Sequence, residues 1–140
     1  MQEAGAMKKR ILTRIKQSIA KTSGDIVLTQ DFRRFGSSSS IAKIIKQLVA
    51  EGVLYRLGYG VYAKTKIGII SGKPIPIKPL EELSAQFLDR MGVEWRLGRA
   101  QREYLEGGSQ IPVSVAFDIG KRRITRKLAG GLRELRYERS

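Results

Sequence analysis

The sequence predicts an α+β fold in two parts, on three observations. Two runs within the first 51 residues carry apolar side chains at helical spacing. Two short alternating segments joined by glycines follow directly. The chain then changes character twice, to a proline-bearing apolar stretch at 67–78 and to strand-like alternation in its last thirty residues or so.

The first helix, about residues 7–21, sets Ile11, Leu12, Ile15 and Ile19 on one side, and residues 1–6 are expected to fray. A short extended piece at Ile26–Val27 leads to a second helix, about 30–35, capped by Thr29. The third helix, about 39–51, is the best marked. Ile41, Ile44, Ile45, Leu48 and Val49 fall at i, i+3, i+4, i+7 and i+8, a serine supplies the N-cap, and Gly52 supplies the stop. The strands "VLYRL" and "GVYAK" then pair through Gly58-Tyr59-Gly60, whose glycines permit a tight hairpin. Three helices followed by a hairpin is the order of a winged helix-turn-helix domain, covering 7–66. Within it "RRFGSSSS" is the turn, and the third helix is the recognition helix.

Residues 67–78 read as a linker, because proline excludes helix and favours extended geometry before it. The remainder, 79–140, reads as a small helix-plus-antiparallel-strand module. Its helix runs from Pro79 to Met91, with Pro79 at the first helical position and Glu81 and Glu82 beside the positive end of the dipole. Leu80, Leu83, Phe87, Leu88 and Met91 form the buried stripe, and the single tryptophan, Trp95, is expected in the core. Alternation at Val113, Val115 and Phe117 and again at Leu135 and Tyr137 gives three short antiparallel strands.

Composition narrows the chemistry. The 140 residues include no cysteine and no histidine, which removes Ser-His-Asp and Cys-His catalysis, disulfides and nearly all zinc chemistry. No phosphate-loop or dinucleotide motif is present, so neither enzyme activity nor a cofactor is expected. A net charge of +14 calls for an anionic partner, nucleic acid or a membrane surface. The charge sits at the ends: residues 1–66 hold 13 basic and 4 acidic side chains, 67–108 hold 6 of each, and 109–140 hold 8 and 3. No run is long enough to span a bilayer, so a cytoplasmic protein is expected.

The candidate DNA-binding residues follow from that frame. Arg33 and Arg34 precede the turn; Ser37, Ser38, Ser39 and Ser40 enter the recognition helix; Lys43, Lys46 and Gln47 occupy its polar face. Arg56, Tyr59 and Lys64 decorate the wing, and Lys121, Arg122 and Arg123 lead a run with five cations in seven positions. Each group has a plainer reading. The serines can simply cap a helix, the hairpin can simply close a core with Tyr55 against Tyr62, and the basic run can be a solvated sheet edge.

The segment "IAKIIKQLVAEGVLYRLGYGVYAK" resembles the helix-plus-wing signature of AbiEi-type antitoxins and related winged helix-turn-helix regulators of bacterial mobile elements. "GGSQIPVSVAFD", after "RAQREYLEG", is similar to a junction in short members of that group, so the resemblance covers the chain from about residue 10 onward. It implies a prokaryotic transcriptional repressor that binds double-stranded DNA, encoded beside a nucleotidyltransferase-like toxin whose effect it opposes. Matched onto this chain, the recognition helix falls on Ser38 to Glu51 and the wing on Leu54 to Ala63. Longer members carry a larger C-terminal antitoxin domain, so the resemblance bears on DNA binding more than on antitoxin action. A homodimer, and a protein partner held by the C-terminal module, stay open. The competing class is an accessory protein of a nucleoprotein assembly; an RNA binder or nucleic-acid enzyme is the third.

Overall fold

The computed structural model describes residues 2–108, 115–124, 126–130 and 133–140, with side chains from Gly5 onward. The described residues form a mixed α+β structure with five helices and two small sheets, divided into two compact units. One unit comprises Met1–Arg56 and Gly60–Ile77; the other comprises Leu57–Tyr59 and Lys78–Ser140. No helix among the described residues is long and apolar enough to cross a membrane.

In the first unit, α1 (Gln2–Lys21) starts well before residue 7, so the expected frayed end is helical. Its Ile11, Ile15 and Ile19 are buried at the helical spacing expected of them. β1 (Ile26–Leu28) is buried at every position. The expected second helix is a 3₁₀ helix, Thr29–Phe35, and Thr29 does not cap it. Its start is held by Asp31, whose Oδ2 accepts from the Leu28 amide at 3.0 Å. Seven residues cut off by Gly36 give an α-helix little length over which to recover its nucleation cost.

Helix α2 (Ser38–Ala50) buries Ile41, Ile44, Ile45 and Leu48. These meet Ile11, Ile15, Ile19, Val27, Phe32 and Leu54 in one core. Gly52, at φ +78°, turns the chain out of α2 into β2 (Leu54–Gly58), which a turn at Tyr59–Gly60 joins to β3 (Val61–Ile67). Strand order is β1-β3-β2, with Ile26 opposite Ala63 and Leu28 opposite Val61.

The 67–78 stretch is not a free connector. It carries β4 (Pro74–Pro76), antiparallel to the far end of β3 with Thr65 opposite Pro76 and Ile67 opposite Pro74. Prolines are tolerated on such an edge strand because only one side of it needs donors. The Ile77 amide donates to the Lys64 carbonyl at 2.9 Å, and Thr65 Oγ1 donates to the Gly52 carbonyl at 2.6 Å. Pro74 lies so close to Gly52 that an added Cβ there would sit 2.4 Å from its ring. Extended geometry was correctly expected here; the pairing partner was not visible locally.

The second unit is built on α3 (Leu80–Arg90), which buries Leu80, Leu83, Ser84, Phe87 and Leu88. Pro79 is its N-cap, one residue outside the expected position, and Met91 is exposed as its C-cap. β5 (Arg96–Leu97) precedes α4 (Arg99–Leu105), a short helix with no buried residue and no amphipathic signal to announce it. β6 (Val115–Asp118), β7 (Ala129–Gly130) and β8 (Arg133–Glu138) complete a sheet of order β5-β6-β8-β7. The expectation of purely antiparallel strands fails at its centre. β6 and β8 run parallel, Val115 opposite Leu135 and Phe117 opposite Tyr137. Parallel pairing needs a crossover of about a dozen residues or more, and residues 119–132 supply one. Val113 lies outside the described residues. Trp95 is half-exposed rather than buried in the core, packing edge-on against Phe117 at 4.9 Å and donating from Nε1 to Asp89 Oδ1 at 2.8 Å.

Candidate nucleic-acid interface

The entrance to α2 is built from its four serines. Ser37 is the N-cap, its Oγ accepting from the Ser40 amide at 3.2 Å. The same hydroxyl donates to Ser40 Oγ at 2.9 Å and lies 3.3 Å from Ser39 Oγ. Ser37, Ser39 and Ser40 therefore satisfy one another, and Ser37 the backbone as well. Ser37, Ser38 and Ser39 nonetheless remain exposed, and Ser40 half-exposed, at the helix end where unpaired N–H groups and the dipole favour an anion.

The periodicity that buries Ile41, Ile44, Ile45 and Leu48 leaves Lys43 and Lys46 on the solvent side. Both are exposed and make no side-chain hydrogen bond or ion pair among the described residues. Gln47 is half-exposed, and its Nε2 donates to Glu51 Oε1 at 2.9 Å, so its donor is partly committed. Glu51 is the first carboxylate after Asp31, and it stands at the far end of the helix. Arg33 and Arg34 are exposed on the last turn of the 3₁₀ helix, with the Arg34 guanidinium 4.6 Å from the Phe35 ring centroid.

The hairpin residues divide. Arg56 is exposed on β2 with no side-chain partner among the described residues, and Tyr59 is 79% exposed at the turn. Lys64 is half-buried, and its Nζ donates to the Thr22 carbonyl at 2.7 Å. That bond caps the C-terminal end of α1, where a cation also suits the dipole. Sequence reasoning saw the charge of Lys64 but not its partner 42 residues away.

In the second unit Lys121, Arg122 and Arg123 are exposed in the segment after β6, not on a strand. Lys121 and Arg122 border an open cleft of about 550 Å³ with Glu94, Trp95, Arg96 and Asp118. Sequence reasoning had not singled out Arg96 or Asp118. The Asp118 side chain is buried and accepts from Gly120 N at 2.9 Å, from Ser140 Oγ at 3.1 Å and from Arg96 Nε at 2.9 Å. The Gly120 amide, and after it Arg96 and Ser140, outweigh the cost of burial and hold its carboxyl below the usual carboxylate range. Tyr137 donates to the Arg126 carbonyl at 2.7 Å, and desolvation pushes its phenol up to about 12.

Neither a curated protein nor a solved structure matches the chain significantly. A family model described as a family of unknown function, DUF6088, matches residues 10–132, which include the described elements from within α1 through β7. On that match, the chain belongs to the DUF6088 family.

Proposed function

We propose that the chain is a double-stranded DNA-binding transcriptional repressor, acting in the cytoplasm, with residues 7–66 working as a winged helix-turn-helix and α2 as its recognition helix. The observation that carries this reading is the exposed face of α2. A serine entrance, then Lys43 and Lys46 without side-chain partners among the described residues, lies ahead of the first acidic residue after Asp31, Glu51 at the C-cap of the helix. Small hydroxyl side chains at a helix start allow close approach to phosphates and base edges, and the two ammonium groups add attraction that reads no sequence. The order α1, β1, 3₁₀ helix, α2, β2, β3 supports the winged arrangement, with the 3₁₀ helix in place of the second helix. The resemblance to AbiEi-type regulators supports repression, and with it a role opposing a toxin encoded alongside.

The test is competition on the full chain between labelled duplex DNA and unlabelled duplex DNA or duplex RNA of the same sequence. Displacement by DNA at concentrations where RNA does not compete is the expected result. Equal displacement by both would replace the repressor reading with general attraction between a cation-rich chain and any polyphosphate.

A further inference from the structure

The turn between β3 and β4 exposes what a soluble protein ordinarily hides. Ile69 and Ile70 are each fully exposed, and Ile67 beside them is 64% exposed. Nothing loose produces this. The Gly68 amide donates to the Lys73 carbonyl and the Gly72 amide to the Gly68 carbonyl, both at 2.9 Å, and Ser71 Oγ accepts from the Lys73 amide at 3.2 Å. Below the turn, β4 pairs with β3 and Pro74 packs on Gly52, so the hairpin is braced against the end of α2. The tip is held out with its two isoleucines leading.

Its surroundings identify the kind of partner. From Gly52 to Leu80 the chain contains no aspartate or glutamate, while Arg56, Lys64, Lys66, Lys73 and Lys78 are cationic. Lys66 and Lys73 are exposed, one on each arm of the hairpin. A second copy of the chain is disfavoured, because two such tips would bring lysines against lysines. A lipid surface is disfavoured by size: the two side chains offer about eight carbon atoms, fewer than one myristoyl chain, which alone anchors only marginally. A base-pair step requires no more than one or two aliphatic side chains to unstack it, with cations on the flanking phosphates.

We infer that the β3–β4 tip is a wedge for duplex DNA, Ile69 and Ile70 entering a base-pair step from the minor groove while Lys66 and Lys73 meet the adjacent phosphates. The inference rests on the DNA-binding reading and adds to it a deformation of the DNA. Flexible pyrimidine–purine steps are the preferred points of entry, so part of the sequence preference comes from deformability rather than from base contacts.

The experiment uses the full chain and the tightest-binding duplex it selects from a random library, carrying a donor and an acceptor dye at its ends, with 2-aminopurine at a central TA step in a second version. Binding should raise energy transfer between the ends and raise 2-aminopurine fluorescence. I69A/I70A should weaken binding about tenfold and return both signals to those of free DNA. Its salt dependence should stay unchanged, because no charge is removed. I69L/I70L should restore both signals, and a melting temperature equal to that of the parent shows that the fold is intact. Tight binding with no change in either signal overturns the wedge and leaves the DNA-binding reading standing. Failure to select any duplex overturns both. Isoleucine-dependent sedimentation with phosphatidylglycerol vesicles, without DNA bending, overturns the wedge in favour of a lipid-binding tip.

Discussion

Ser37 and Ser38 are neighbours with different surroundings. Ser37 holds the entrance to α2 through the Ser40 amide, whereas the exposed Ser38 takes no part in the cap. Ser37→Ala should therefore cost about 1 kcal/mol of stability, read as a lowered melting temperature. Ser38→Ala should leave melting unchanged and weaken binding to a selected duplex more than to random DNA, because a positioned hydroxyl is lost and no charge is. Equal losses on both kinds of DNA would restrict the serines to capping. The lysines part in the same way. Lys43, Lys46 and Arg56 as phosphate contacts contribute about −2.7 to the log–log salt slope, Lys66 and Lys73 at the wedge add about −1.8, and Lys46→Ala should flatten the slope by about one unit. Lys64→Ala should leave the slope nearly intact and destabilise the first unit by about 1 kcal/mol, since its Nζ holds the Thr22 carbonyl. A flattened slope in Lys64→Ala would instead put that ammonium on DNA.

At the scale of elements, what was legible followed from period and punctuation. The 3.6-residue spacing of Ile41, Ile44, Ile45 and Leu48, with Ser37 before and Gly52 after, marks α2 almost to the residue. The same logic finds α3 and the β2–β3 hairpin. It fails where a partner distant in sequence decides the outcome. Pro74–Pro76 reads as a linker until Thr65–Ile67 supplies an edge for it, and Val115–Asp118 reads as a hairpin arm until Arg133–Glu138 lies beside it in parallel. The exposed isoleucines were invisible for the same reason, since an apolar residue in a turn looks like core until the packing is known. Asp118, at the end of β6, yields an element-scale prediction. Its carboxyl is held below its ordinary range, so the stabilisation is present above the unfolded pKa of about 3.9 and is lost as pH falls through the folded value. Acid melting of the full chain should show this loss below about pH 4. Asp118→Asn should lower the melting temperature at pH 7 and remove that part of the acid dependence, while an unchanged acid profile would show that Arg96 and Gly120 do not depend on the charge.

On the scale of the whole molecule, the proposed DNA binding raises the question of whether the cations of the second unit take part in it. Residues 1–77 carry 14 basic and 4 acidic side chains, and 78–140 carry 13 and 9. The second portion is therefore only modestly positive, with Lys121, Arg122 and Arg123 concentrated in one exposed segment. Residue 77 is a better place than 66 to end a fragment of the first unit, although such a fragment carries Leu57–Tyr59, which belong to the second unit. A fragment ending at Lys66 loses β4, and with it the pairing of Thr65–Ile67 and the packing of Pro74 on Gly52, whereas one ending at Ile77 keeps them. The shorter fragment should melt several degrees below the longer one, so any weakness in its DNA binding would confuse unfolding with lost contacts. With 1–77 as the comparison, the full chain should show a salt slope steeper by up to about 2.7 if Lys121, Arg122 and Arg123 each neutralise a phosphate on the same duplex. Its footprint should lengthen to match. We expect the steeper slope, because a surface meant for a protein partner is ordinarily depleted in clustered lysine and enriched in aromatic anchors. Equal slopes and equal footprints would take the three cations off the DNA and make the second unit a surface for dimerisation or for a partner, which sedimentation of the full chain against 1–77 would then distinguish.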